Sequence, residues 1–372
     1  MSSLFAAAAL LALSATAMVG ADTIRVAIAE NARAADLRGS NIEVSEVGCA
    51  ACPRPGWRTD SVRATPSGLG VEIGGRVAPA FRLVSDAPIR INGRDYPATL
   101  EIVRNGDGLA IVNELHLEEY VVGVLRAETS EKWPLDALRA QAIVARTYAA
   151  FHRASSGAKP YHLLASTTHQ MYLGHVPSSS PIWDAVRDTT GQVLLWDGEL
   201  FPAFYHSASG GYTEDPRMVF AARNMPALKA VRDDFSAAAP HFYWTLDLKL
   251  GDLAEILKKN GYDVGRVTAI EITERTPSLR VANLTVHGTR SAARLRGNDF
   301  RKMVGYETVK STLFAVALDG GVARFSGRGY GHGVGMSQWG AKGMADQGYK
   351  AEKILEYYYP GTTLGSLGAL AR

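Results

Sequence analysis

Residues 117–128 read LEEYVVGVLRAE and residues 134–152 read PLDALRAQAIVARTYAAFH, and this pair of segments decides the fold. Leu117, Val121, Val124 and Leu125 recur at helical spacing, so the first segment is predicted to be a helix with one apolar stripe. Glu118 and Glu119 fall off that stripe and are expected to stay solvated. The next position on the stripe is Glu128, a carboxylate where an apolar residue belongs. In the second segment Pro134 suits the first turn of a helix, and Asp136 complements its dipole. Leu138, Ala142, Ala145 and Ala149 then give a tight face of mostly small residues.

Upstream of this helix pair the pattern is β-like. Thr23–Ile28 alternates as a strand does, and short runs broken by Gly and Pro follow in 61–112: GLGVEIGG, AFRLVS, IRING and ATLEIV. Downstream, strands are expected at 192–196 and 201–206, with Asp197-Gly198 as a hairpin signal between them. Residues 242–325 mix strands with short helices at 251–260 and 297–304. Two more helices are expected near 337–347 and 350–358. Strands and helices that do not alternate regularly imply an α+β fold: a β-rich core with a helix pair and C-terminal helices lining a cleft. The expected divisions are a leader at 1–21, a β-rich portion at 22–98, a catalytic domain at 99–364 with a candidate inserted subdomain at 224–325, and a tail at 365–372.

The 372 residues are 47% hydrophobic and 21% charged, with a net charge of +3, which fits a folded globular protein. No basic run forms a phosphate-tracking stripe, so a nucleic-acid partner is not expected. The segment Leu4–Leu13 is apolar and leads to Val19-Gly20-Ala21, a signal-peptidase pattern that implies export to the periplasm or cell wall. Elsewhere no stretch approaches about 18 uninterrupted apolar residues, so no membrane span is expected in the mature chain. Cys49 and Cys52 are followed by Pro53, Pro55 and Gly56, which forbid the helix a thioredoxin-like pair needs. A zinc site would lack a second ligand pair. A short-range disulfide in an exported loop is the expected state.

Glu128 is the leading candidate for chemistry. On a buried stripe at a helix C-terminus, desolvation and the helix dipole both raise a carboxyl pKa. A carboxyl kept protonated near neutral pH is what glycosidic cleavage requires of its acid. The competing reading is a glutamate paired with Arg139 or Arg146 for structure alone. In FYHSASGGYTED, His206, Ser207 and Ser209 lack the G-x-S-x-G elbow of a serine hydrolase. His206 and Ser207 would also point to opposite faces of a strand, so the segment reads as a cleft wall with hydroxyl and imidazole donors. The Gly-rich stretch GRGYGHGVGMSQWGAKGMA at 327–345 fits neither the dinucleotide nor the Walker pattern. Its glycines permit close backbone approach, Ser337 is placed to cap the following helix, and His332, Gln338 and Trp339 are presented to a ligand. His169 and His175, with His206 and His332, have no metal-ligand spacing, and no metal or cofactor is expected.

Together these motifs resemble the stage II sporulation protein D family, also called the SpoIID/LytB domain. LEEYVVGVLRAE with PLDALRAQAIVARTYA, then YHSASGGYTED, then GRGYGHGVGMSQWGAKGMA and ILEYYYPGTTL occur in family order across roughly residues 99–364. The resemblance implies a cofactor-free peptidoglycan lytic transglycosylase that cuts after N-acetylmuramic acid, in glycan stripped of stem peptides. It places the catalytic glutamate on Glu128 and the family's lysine on Arg139, which keeps the charge but changes its geometry. Arg139 and Arg146 become candidates to hold the muramic carboxylate. The cysteines that bind zinc in some relatives are missing from LLASTTHQMY, and Thr129-Ser130 replace a Met-Pro pair. The partners implied are peptidoglycan glycan strands and a cell-wall amidase. The same family name covers amidase enhancers, so a non-catalytic glycan-binding activator is the alternative. A histidine-based metallopeptidase and an adhesive glycan-binding module are the remaining rivals.

Overall fold

The computed structural model describes residues 23–48, 55–97, 99–157, 159–220 and 225–370. The leader expected at 1–21 and the cysteine pair lie outside the described residues. The fold is α+β. Strands β1 (Thr23–Ala32), β2 (Ala35–Val47), β3 (Trp57–Ser67), β4 (Gly70–Ile73), β5 (Arg76–Ala78) and β6 (Ala80–Val84) come first in the chain. Then follow β7 (Ile89–Ile91), β8 (Arg94–Tyr96), β9 (Thr99–Asn105), β10 (Gly108–His116) and, after two helices, β11 (Leu163–Leu164). All eleven belong to one sheet, ordered β11-β1-β10-β9-β6-β2-β3-β4-β5, with β7 pairing both β2 and β8. Because β1 pairs with β10 and β6 with β9, the boundary drawn at residue 98 runs through the middle of a continuous sheet.

The strand alternation is physical. Ile24 and Val26 on β1, Leu100 and Ile102 on β9, and Leu109 and Ile111 on β10 all point into one buried layer. Against it pack α1 (Leu117–Glu128), α2 (Leu135–Ser155) and α3 (Ile182–Asp188). Helix α1 starts directly from β10, with the His116 imidazole accepting the Glu118 amide. It is buried all round from Tyr120 to Leu125, so it is a core helix rather than one with a single apolar stripe.

Helix α2 is enclosed on two sides, which explains its small residues. Leu138, Ala142, Ala145 and Ala149 face the sheet core, while Ala140, Ile143 and Val144 join a second core with Met344, Ile354, Leu355 and Tyr358. A third core is built only from residues 244–325, with Trp244, Leu257, Leu284, Phe300 and Phe325 among its members. It sits between two three-stranded sheets and the helices Leu250–Lys259 and Gly297–Val304. Buried Glu214 ties this unit to the rest, accepting the hydroxyls of Thr276 and Ser278, the latter at 2.6 Å.

Two expectations change. Asp197 and Gly198 do form a tight turn, with φ of 51° and 79° and paired hydrogen bonds between Trp196 and Glu199. The flanking strands do not continue as a hairpin: Gln192–Leu195 pairs with Thr363–Ser366, and Tyr205–His206 pairs in parallel with Met336–Ser337. Glu118 and Glu119 are also not free surface charges. The Arg146 guanidinium grips Glu118, and burial raises the Glu119 carboxyl.

Candidate functional site

Glu128 is the last residue of α1, and Thr129 caps the helix by returning its amide and hydroxyl to the Leu125 carbonyl. Glu128 is half-buried, and three donors from three other segments meet its carboxyl. The Met171 amide donates to Oε1 at 2.9 Å, and Gln338 Nε2 donates to Oε2 at 3.3 Å. The Tyr205 hydroxyl is the third donor. Burial pushes the carboxyl pKa above the usual range, and the three donors pull it partway back. Among the described residues no Arg, Lys or His is paired with it, and Arg139 and Arg146 are bonded elsewhere.

The Met171 donor is positioned by a glycine on α1. A Cβ at Gly123 would lie 2.4 Å from the Tyr172 ring, so only glycine lets the 165–176 loop cross the helix there. Tyr172 then donates to Asn113 Oδ1 at 2.8 Å, and Leu173 N to the Gly123 carbonyl at 3.3 Å. This anchoring sets the Met171 amide against the end of α1. The other two donors come from the strand Tyr205–His206 and from the helix that begins directly after its partner strand. Tyr205 lies opposite Met336, and Ser337 caps the helix Gln338–Asp346 through the Gly340 amide at 3.1 Å. Gly335, at φ 71°, allows this pairing, since a Cβ there would lie 1.9 Å from the Phe204 carbonyl. Trp133 and Trp339 stand edge to face with ring centroids 5.3 Å apart, Trp339 following Gln338 directly in the chain.

The geometry thus consists of one carboxyl and a set of neutral donors, drawn from α1, the 165–176 loop, the Tyr205 strand and the Gly-rich segment. Known proteins are similar to this chain over most of its length. A protein of Brachyspira hyodysenteriae named only as uncharacterized is 32% identical over 276 residues, 74% of this chain and 73% of its own length. The stage II sporulation protein D of Bacillus subtilis (strain 168) is 30% identical over 289 residues, 73% of this chain and 80% of its own. This chain belongs to the stage II sporulation protein D family. The family model, described as stage II sporulation protein, matches residues 105–196, which hold β10, α1, α2 and the Met171 loop. A second model, described as a domain of unknown function, matches residues 211–335. The amidase enhancer of the same Bacillus strain is 31% identical over 66% of this chain, which spans 40% of that protein. A SpoIID-family chain with these relatives has a role connected with the cell wall.

The family frame brings together only some of the residues picked from sequence. Glu128 and Gln338 are in contact, and Trp339, next to Gln338 in the chain, has its amide donating to the Ser207 carbonyl at 3.0 Å. Arg146 is a correction. It is fully buried, its Nε donates to Glu118 at 2.9 Å and Nη1 to the Gln192 carbonyl at 3.0 Å, so its guanidinium is turned into the protein and away from any ligand. Arg139 is held by Asp188 and Asp136 on a partly exposed face. Ser209 is a second correction. It is buried, bound to Asp233 at 2.6 Å and to Ser236 at 3.1 Å, and it closes the turn through the Gly211 amide.

The two histidines clasp one residue. His206 Nδ1 donates to the Val334 carbonyl at 3.1 Å, and the Val334 amide donates to His332 Nδ1 at 3.0 Å. His332 uses its other nitrogen on the Tyr205 carbonyl, and burial first, then Arg301 and Arg280, hold its pKa down to about 3. Both rings are therefore neutral parts of the frame rather than cleft donors, which corrects the sequence assignment. His169 packs instead on His152, with centroids 5.0 Å apart. Among the described residues no three His, Cys, Asp or Glu side chains converge as a metal site, and no helix is long and apolar enough to cross a membrane.

Tyr205, Gln170 and Trp133 were missed from sequence. Tyr205 had a usable signal: it sits two positions before Ser207, on the opposite strand face from His206. Gln170 and the Met171 amide had none, because a loop's path over a helix is a tertiary property.

Proposed function

We propose that this protein is a peptidoglycan lytic transglycosylase that acts outside the cytoplasm on glycan strands, with Glu128 as its acid and base. The observation that carries the reading is the Glu128 carboxyl, raised by burial and, among the described residues, met by neutral donors. A carboxyl in that state is protonated over a wider pH range than a free glutamate, as a general acid must be. In the first step Glu128 gives its proton to the glycosidic oxygen after N-acetylmuramic acid. The C1–O bond breaks, and the leaving sugar departs with the proton. Met171, Gln338 and Tyr205 stabilise the carboxylate that this step leaves behind. The carboxylate then takes the proton of the muramyl 6-hydroxyl while that oxygen bonds to C1, closing a 1,6-anhydro ring. The carboxyl ends protonated, ready for the next cycle, and neither water nor a second carboxylate takes part.

The alternative is a non-catalytic activator of a cell-wall amidase, and the 31% identity to the amidase enhancer favours it. Purified glycan, both intact and stripped of stem peptides by an amidase, separates the two. The lytic reading predicts 1,6-anhydromuramyl products by mass spectrometry that vanish with Glu128→Gln. Saturable glycan binding equal in both proteins, with no product and with stimulation of an added amidase, would establish the activator instead.

A further inference from the structure

We propose that Tyr205 is a positioning residue for Glu128, its hydroxyl proton turned onto the carboxyl by a one-way hydrogen-bond chain running from Tyr120 through Gln170. The argument rests on which groups can only donate or only accept. Gln170 is buried and its side-chain amide touches three groups. One is the Ala145 carbonyl, at 3.3 Å, which can only accept, so the amide nitrogen must face it. That fixes the orientation of the whole amide. The same nitrogen therefore donates its other proton to the Tyr205 oxygen at 3.2 Å, and Oε1 accepts from the Tyr120 hydroxyl at 3.1 Å. With its oxygen already accepting from Gln170, the Tyr205 hydroxyl directs its own proton at Glu128.

The backbone of Tyr205 is fixed as firmly as its hydroxyl. Its strand pairs with Met336, and its carbonyl accepts from His332, whose other nitrogen is occupied by Val334. Burial and the Glu128 charge both hold the Tyr205 pKa far above its usual value, so the hydroxyl stays a donor over any working pH range. Helix α2, the 165–176 loop and the Gly-rich segment thus converge on one proton position. This gives the first residue of the YHSASGG motif a role that neither histidine nor serine fills.

Other titratable groups around the carboxyl have their own partners. Tyr120 on α1 and Tyr148 on α2 act on Tyr205 from behind, and both are pushed upward by burial. Lys342, on the Gln338 helix, lies over the Trp339 ring and bonds Asp346. Glu131, beyond the end of α1, accepts from Ser180 and pairs with Arg126, and His169 packs on His152. Tyr205 is therefore the group whose removal changes the hydrogen bonding of Glu128 with the least change of shape.

The consequence for turnover rests on the transglycosylase reading, but the positioning itself does not, and the test separates them. The titration of the Glu128 side-chain carboxyl is followed by carbon-13 NMR, assigned by its loss in Glu128→Gln. Tyr205→Phe removes only the hydroxyl and is expected to raise the midpoint by about one pH unit, the worth of a hydrogen bond to a charged group. Gln170→Met leaves Tyr205 in place but lets its hydroxyl turn away, and a smaller rise is expected. An unchanged midpoint in both variants overturns the proposal. If the wild type cleaves glycan, the high-pH limb of its rate profile moves upward in Tyr205→Phe and the maximal rate falls at least tenfold. A lower rate with an unmoved limb would reduce Tyr205 to a packing role. A shifted midpoint in a protein that yields no anhydro product upholds the positioning and sinks the transglycosylase reading alone.

Discussion

Arg146→Met tests whether the arginine of α2 serves the frame or a ligand. The guanidinium has no exposed surface and makes a two-pronged contact with Glu118, whose side chain is 16% exposed. Methionine keeps the length and apolar stem of arginine but leaves Glu118 with the Gly191 amide as its remaining partner, and leaves the Gln192 carbonyl without this donor. Breaking a buried pair by removing one member costs about 3–5 kcal/mol, and the residual exposure of Glu118 places this case near the lower end, about 3 kcal/mol. The change is read by urea unfolding at pH 7, followed by circular dichroism. A double variant, Arg146→Met with Glu118→Leu, no longer strands a charge and should recover about 2 kcal/mol of the loss, the coupling energy of the pair. Stability within about 1 kcal/mol of wild type, together with lost glycan affinity, would refute this reasoning and return Arg146 to the ligand.

The proton linkage of Glu128 gives a stability prediction with a definite sign. Its carboxyl titrates higher folded than unfolded, so the unfolded state binds fewer protons between the two values and stability falls as pH rises through the folded pKa. Glu128→Gln removes that loss: its melting temperature should gain on wild type between pH 4 and 8, and a gap constant across that range would contradict the burial argument. Gly335→Ala places a Cβ 1.9 Å from the Phe204 carbonyl at a positive φ, and should cost well over about 2 kcal/mol in urea unfolding. Gly348→Ala, also at positive φ but with open space around it, should cost only about 1 kcal/mol, the left-handed strain alone. Equal losses at the two sites would show that the approach to Phe204 is unimportant.

Much of the secondary structure was legible in sequence. The two central helices, the short helices near 251–260 and 297–304, and the β-like runs at 68–75, 80–85, 89–93 and 98–103 all have counterparts within a few residues. Each rests on local periodicity, a capping residue or a glycine, information that the chain carries within about ten positions. The prediction of Ser337 as a helix cap also held, because capping is a matter of one side chain and one turn. Glu128 stood out for the same reason, as a carboxylate on an otherwise apolar helical stripe.

What the sequence alone could not assign was partnership. Arg139, Arg146, Ser209, His206 and His332 are all residue types that bind ligands, and each could equally be satisfied inside the protein. Only the tertiary structure showed Arg146 on Glu118, Ser209 on Asp233 and both histidines on Val334. The eleven-stranded sheet likewise crosses the expected division at residue 98, because strand pairing joins residues distant in the chain, such as Val26 with Asn113. The sequence by itself determined the helices, most strand positions and the one carboxyl out of place. The tertiary structure decided which polar groups were already bonded and which three donors met that carboxyl. The reason is that a hydrogen bond between distant segments depends on where the chain returns in space, and no local pattern records that.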